Sequence, residues 1–288
     1  MQVRAEIAAC ARGRLCSIRK MRTSHGRLGV YFLILLKVTV PLALQGAWQD
    51  DTAGLPPVEI VNAKAMGADT DKSTVLQDRL GRIFIGSSSL LVFDGQSWSA
   101  HAKPGRYGLT SLTPGTNDIL WATTNNDVGF FQEEPLGKFR FHSLLSSLPE
   151  EARNLGPVWG CAPLGPVTYF ICKEKLLRWD GRAFQITPFP TKLRLAPLKI
   201  GEEYWFQHLE TGLYRLTESG PELKFAPSEL PIPLLIALFR DATGVVGVSN
   251  DGLTRLGQPD PFSSNELNKY LTQHKVSAFA ELPGDKIA

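Results

Sequence analysis

Residues able to do acid–base, nucleophilic or metal chemistry are present in this chain, but they are not spaced to do it together. The five histidines, His25, His101, His142, His208 and His274, are dispersed, with no H-x-x-x-H pair and no Cys/His metal spacing. No Walker loop, dinucleotide glycine pattern or G-x-S-x-G elbow occurs. "SIRK" (Ser17–Lys20) has the letters of an S-x-x-K nucleophile–base pair, but it falls in a basic leader. Asp78, Asp94, Asp118, Asp180, Asp241 and Asp251 stand in turn-like phrases, where an aspartate ordinarily accepts bonds from backbone amides. The sequence therefore offers no catalytic, cofactor-binding or metal-ligating residue set.

Aromatic side chains are the better candidates for touching a ligand. Trp98, Trp121, Trp159, Trp179, Tyr204, Trp205 and Phe206 could stack on sugar rings at a cavity mouth. Their recurrence at repeat positions favours packing between repeats instead. "TTNNDVG" (Thr123–Gly129) and "QHLETG" (Gln207–Gly212) have the composition of rim loops, where binding residues concentrate, but no single ligand-binding residue can be assigned. Of four cysteines, Cys10 and Cys16 lie in the leader, while Cys161 and Cys172 flank the turn "APLGPV". Those two read as buried thiols acting as small apolar groups, with a disulfide the alternative if the compartment is oxidising.

The elements that must position such residues follow from composition and pattern. In 288 residues, 43% are apolar and 20% charged, which allows a sizeable core and excludes global disorder. The net charge of +3 is concentrated at the start: residues 1–37 carry eight Arg and Lys against Glu6, a net +7, which leaves about −4 for the rest. A basic nucleic-acid-binding face is not indicated for the folded part. "MRTSHGRLG" (Met21–Gly29) followed by the 15-residue apolar run Val30–Leu44 has the length of a signal-peptide core and is short for a membrane span. Residues 1–47 are thus expected to be a basic leader with a signal peptide or uncleaved signal anchor, and 48–288 a folded domain outside the cytoplasm.

That domain is written as a repeat. "LGRIFIGSSSLLVFDGQSW" (Leu80–Trp98) reads as strand, serine turn, strand, Asp-Gly turn and the start of another strand, the Asp-Gly suggesting a type I′ hairpin. The same grammar returns in "TNDILWATTNNDVGFFQ", "LGPVTYFICKEKLLRWDGRAF", "IGEEYWFQHLETGLYRL", "ATGVVGVSNDGLTRL" and "LPGDKIA". Its turn residues Gly81, Asn117, Gly165, Gly201, Gly244 and Gly284 recur about every 41 positions. A period near 40 with four short strands, apolar on both faces, predicts an all-β fold: a β-propeller of five to six blades, its ring incomplete in this chain. A β-sandwich gives no reason for the constant period. Two insertions are expected to carry helix: His142–Asn154, and Ser263–Val276, where Ser263 and Glu266 form a capping box. In the latter, Leu267, Tyr270, Leu271 and His274 make a stripe that packs over a blade edge.

The phrase "LQDRLGRIFIGSSSLLVFDGQSW" resembles the repeat of the two-component regulator propeller family, with its D-x-x-G, short apolar strand, G-S, second strand and D-G turn. The likeness extends from about Pro56 to Ala288. It implies the ligand-sensing region of a bacterial membrane sensor, not itself an enzyme, with no cofactor and no nucleic-acid partner. Its ligand would be extracytoplasmic, a carbohydrate being one class. Further implications are a homodimeric full-length receptor and a C-terminal kinase, cyclase or DNA-binding output. No signature of such an output occurs within the 288 residues, so the chain is expected to be a fragment. A secreted propeller acting on polysaccharide and a stand-alone interaction scaffold are the alternatives.

Overall fold

A computed structural model describes residues 74–102, 105, 107–116, 118–189, 197–230, 234–258, 262, 266–274, 281–282 and 286–287. All lie in the second of two units into which the chain divides, Asn62–Ala288. Four four-stranded antiparallel sheets follow one another in sequence. Blade 1 is β1 (Thr74–Gln77), β2 (Ile83–Gly86), β3 (Leu90–Phe93) and β4 (Trp98–His101). Blade 2 is β5 (Leu109–Pro114), β6 (Leu120–Thr124), β7 (Val128–Glu134) and β8 (Lys138–Ser143). Blade 3 is β9 (Val158–Leu164), β10 (Val167–Cys172), β11 (Lys175–Trp179) and β12 (Phe184–Pro188). Blade 4 is β13 (Leu198–Ile200), β14 (Glu203–His208), β15 (Gly212–Thr217) and β16 (Gly220–Phe225). Blade 5 has three strands, β17 (Ala237–Asp241), β18 (Gly244–Ser249) and β19 (Gly252–Arg255), and a sixth sheet holds β20 (Glu281–Leu282) and β21 (Lys286–Ile287). Of the turn residues that set the period, Gly81, Gly165 and Gly201 fall in the connection between the first and second strands of their sheets and Gly244 opens the second strand of blade 5; Asn117 and Gly284 lie outside the described residues.

Burial explains why the middle strands read as continuous apolar runs. β6 (LWATT) and β10 (VTYFIC) are buried at every position, whereas β1 and β4 are buried at none. Successive side chains point to opposite faces, so each middle strand feeds two cores. On β10, Phe170 and Cys172 pack with Trp121 and Val128 of blade 2, while Tyr169 and Ile171 pack with Tyr204 and Phe206 of blade 4. On β14, Tyr204 and Phe206 face blade 3, and Trp205 faces Leu238 and Val245 of blade 5. Each fully buried Leu or Phe contributes about 1.5–3 kcal/mol, and this face-to-face stacking of blades makes the β-propeller.

The turns differ from the sequence expectation in one respect. Phe93 pairs with Trp98, so Asp94–Ser97 is a four-residue loop; Gly95 is left-handed (φ 101°) but Asp94 is not, which excludes type I′. Instead the Asp94 carboxylate accepts from the amides of Gln96 and Ser97, both at 2.8 Å. Asp180 repeats this with Arg182 and Ala183, Asp78 with Leu80 and Arg82, and Asp241 with Thr243 and Gly244. The recurring aspartate is therefore an Asx-turn residue.

Two further expectations change. His142–Asn154 forms two single 3₁₀ turns, Leu145–Ser147 and Glu150–Ala152, rather than a longer helix. Pro149 between them disfavours a helical backbone at the preceding residue, and Leu148 is extended (φ −85°, ψ 145°). In blade 5 the described residues hold no fourth strand; helix α1 (Glu266–Gln273) packs beside β19. The helix does cover a blade edge, but of the expected stripe only Leu271 packs inward. Leu267 and Tyr270 are exposed, and the inward residues are Asn268 and Leu271. Asn268 Oδ1 accepts from the Leu253 amide at 2.6 Å and its Nδ2 donates to the Phe262 carbonyl at 3.1 Å. Gly252 (φ +107°) allows this approach, since a Cβ there would overlap the Asn268 carboxamide. Ser263, and with it the capping box, lies outside the described residues.

Candidate functional site: a cavity between the innermost strands

Antiparallel order fixes where each blade's parts lie. The turns between second and third strands share one end with the crossovers into the next blade, and the other turns share the opposite end. First strands of successive blades touch each other: β1 meets β5, β5 meets β9 and β13 meets β17. They therefore form the inner wall of the stacked blades. Along that wall lies a cavity of about 350 Å³, lined by Thr74 of β1, Thr110, Ser111 and Thr113 of β5, Trp159 and Cys161 of β9, Lys199 of β13 and Tyr204 of β14, with Pro114 and Pro197. That volume falls at the lower end of small-molecule sites, ~300–1,000 Å³.

Two register shifts aim side chains into this cavity. Leu109 pairs with Thr124 and Ser111 with Thr123, so Thr110 is an extra residue on β5. Val158 pairs with Cys172 and Gly160 with Ile171, so Trp159 is an extra residue on β9. A bulge re-aims the residue that it adds. Both are exposed although their neighbours Leu109, Val158 and Gly160 are buried, and Trp159 keeps 37% of its surface accessible. The Thr110 hydroxyl donates to the Val158 carbonyl at 2.7 Å and lies 2.8 Å from the Thr123 hydroxyl, pinning β5 to β9. Gly160 lets the next blade close in: a Cβ there would sit 2.5 Å from Cδ of Pro197.

The polar groups of the wall are nearly all neutral. Burial pushes the Cys161 thiol up to about 11, opposed by hydrogen bonds with Thr113 and Ser111. Burial, with Cys161 and Glu202 nearby, pushes the Tyr204 phenol up to about 12. Among the described residues lining the cavity, Lys199 alone carries charge at neutral pH. It is the cross-strand partner of Tyr204, and its ammonium lies 5.5 Å from that ring's centroid and 3.9 Å from Oε1 of Glu202, a residue 98% exposed. The site can thus offer an aromatic face, several hydroxyls and one cation.

The other aromatic candidates are placed in packing. Trp121 and Trp205 are buried, Phe206 has no accessible surface, and Trp98 and Trp179 lie against Phe93 and Phe184. Both rim loops hold neighbouring backbone. Asn126 Oδ1 accepts from the amides of Leu155 (2.9 Å) and Gly156 (3.2 Å), where the chain enters blade 3. Gln207 Oε1 accepts from the Leu235 amide at 2.9 Å, where it enters blade 5. His101 accepts the Phe139 amide on Nδ1, His142 stacks on Phe130, buried His208 bonds Thr211, and His274 stacks on Tyr270 at the end of α1. His25 lies outside the described residues. No group of three His, Cys, Asp or Glu among the described residues is arranged to hold a metal ion.

Cys161 pairs with Phe170, and Cys172 with Val158, so the two cysteines are offset diagonally. Both thiols are free and buried in one core between blades 2 and 3. The missed site residues were Lys199 and the hydroxyls of β5. Their signal is a polar residue inside a short strand just before the first turn of a repeat, as in "LTSLTP" and "LKIG".

Neither a protein-family profile nor a curated protein sequence matches the chain. Solved structures do. The extracellular domain of a hybrid two component system from B. thetaiotaomicron aligns at 19% identity and a TM-score of 0.47, over 68% of this chain and 27% of that one. A catalytically inactive virginiamycin B lyase from Staphylococcus aureus, with quinupristin, aligns at 16% identity and a TM-score of 0.50, over 65% of this chain and 67% of that one. The chain thus spans about a quarter of the first protein's length and two thirds of the second's. At such identities the likeness is one of fold, and the fold is that of β-propeller blades.

Proposed function

We propose that this chain is the ligand-sensing propeller of an extracytoplasmic, membrane-anchored bacterial receptor, and that its ligand enters the cavity between the innermost strands. The basic leader with its apolar run and the two-component-regulator phrase support the location and the receptor class. The cavity carries the binding role: Trp159 supplies a stacking face, the β5 hydroxyls and the neutral Tyr204 phenol supply hydrogen bonds, and the volume suits a mono- or disaccharide. Sensing demands that ligand favour one of two states. Cavity walls drawn from four separate blades are suited to that, because a ligand bridging them alters how blades pack. No described helix is long and apolar enough to cross a membrane; the anchor of this reading is the apolar run Val30–Leu44.

The test has two parts. Fractionated source cells probed with an antibody against Gly54–Ala288 should show the protein in membranes, digestible by protease added outside the cytoplasmic membrane. The full chain, titrated calorimetrically with a panel of mono- and disaccharides, should show saturable binding that is lost in Trp159→Ala, with the sugars recovered unaltered. A cytoplasmic location refutes the receptor assignment. Cleaved sugars would favour a polysaccharide-degrading propeller.

A further inference from the structure

The charge of the cavity narrows its ligand. We infer that the ligand carries an acidic group, a carboxylate or sulfate ester, seated against Lys199; this rests on the cavity being the ligand site. The wall holds one cation and, among its described residues, no anion. The two titratable neighbours that could supply negative charge are held neutral, Cys161 and Tyr204 being pushed up to about 11 and about 12. The ammonium is not consumed by its own surroundings. Its carboxylate neighbour is the 98% exposed Glu202 at the loose distance of 3.9 Å, and an exposed pair of that kind contributes little. Its other contact, the Tyr204 face at 5.5 Å, orients a cation without neutralising it. Lys199 thus lies over the ring of the buried Tyr204 and shares the cavity wall with the exposed Trp159 and the hydroxyls of Thr110, Ser111 and Thr113. Stacking plus one anchored cation and neutral hydroxyl oxygens suits a flat-faced polyol bearing one negative charge, a sugar acid, better than a neutral sugar. The neutral sugar would leave the ammonium partly desolvated with no ligand partner.

Sugars differing only by the acid provide the test: glucose with glucuronate, galactose with galacturonate, and the corresponding disaccharides, titrated into the full chain. For the pair that binds, the acid should bind roughly five- to tenfold tighter at low salt, a preference shrinking in 0.5 M NaCl as the charges are screened. Lys199→Gln should abolish the preference. Glu202→Gln lies outside the lining and removes the competing carboxylate, so it should tighten the acid about two- to threefold and leave the neutral sugar unchanged. Equal binding of acid and neutral sugar, or a preference that survives Lys199→Gln, overturns the inference and leaves the cavity standing as a sugar site. Failure of every pair to bind overturns the cavity reading itself, and the inference with it.

Discussion

Replacing Asn268 with alanine should destabilise blade 5 by removing a side chain that bonds the edge of β19. Asn268 keeps 8% of its surface. Its two carboxamide atoms serve the buried Leu253 amide at 2.6 Å and the Phe262 carbonyl at 3.1 Å. An unsatisfied buried group costs about 1–3 kcal/mol; the amide incurs most of that, and the part-buried carbonyl less, about 2.5 kcal/mol together. Alanine is the better helix former by about 0.5 kcal/mol, so the net loss is about 2 kcal/mol. The effect is local, and the assay should be local too. Hydrogen exchange at the Leu253 amide should speed up roughly 30-fold, while a Lys269→Ala control on the exposed face leaves it unchanged. Exchange at Leu253 within threefold of the wild-type rate in Asn268→Ala would refute the idea that the helix holds the edge of β19.

Gly160→Ala places a methyl 2.5 Å from the Pro197 ring and should cost about 1–3 kcal/mol by overpacking, read as a lowered urea midpoint; an unchanged midpoint would mean the blades are not in contact there. His101 accepts the Phe139 amide on Nδ1 and lies 2.9 Å from the Ser99 hydroxyl through Nε2, and burial lowers its pKa below the ordinary 6.5, with the Glu133 carboxylate pulling the other way. Because the folded pKa is the lower one, its contribution is present above pH 6.5 and lost as pH falls below it. His101→Asn keeps an acceptor without a titration, so it should lose less stability than wild type between pH 7 and pH 5, and parallel losses would exclude His101 as the cause. The Cys161 and Cys172 thiols, pushed up to about 11 and about 12, should react with an aromatic disulfide reagent only after denaturation; rapid reaction of the native protein would show that this core opens.

The repeat was legible because each blade must bury both faces of its middle strands, which writes the same apolar phrase five times. Asp78, Asp94, Asp180 and Asp241 were legible as turn residues for the same reason: each serves one local chain reversal. What could not be read depends on contacts between blades. Nothing local distinguishes Asn126, which holds the chain entering blade 3, from any loop asparagine. The diagonal offset of Cys161 and Cys172 was hidden too, since it follows from the two-residue turn Gly165–Pro166, which pairs Val167 with Leu164 and therefore Cys161 with Phe170. The α1 stripe was legible only at Leu271, because an apolar pattern says that a face is buried somewhere, whereas here one amide partner, Asn268, decides which side turns inward.

The bulge at Trp159 carries a test of whether the cavity is built or incidental. Removing one residue from a strand normally flips every side chain beyond the cut to the other face. Here it should not. Val158 already pairs with Cys172 and Gly160 with Ile171, so deleting Trp159 joins two residues whose partners are adjacent and leaves Val158 and Cys161 facing blade 2 as before. The ladder becomes regular, and the exposed Trp159 takes no core contact with it. The deletion should therefore change unfolding free energy by less than about 1 kcal/mol, within the range of surface changes, while abolishing sugar binding measured by titration calorimetry. If it unfolds blade 3 instead, the bulge is needed for the strand's own geometry and its side chain reaches the cavity by consequence. If stability holds and binding is lost, the irregularity serves the cavity alone: a repeat acquires a binding site where its register departs from the repeat.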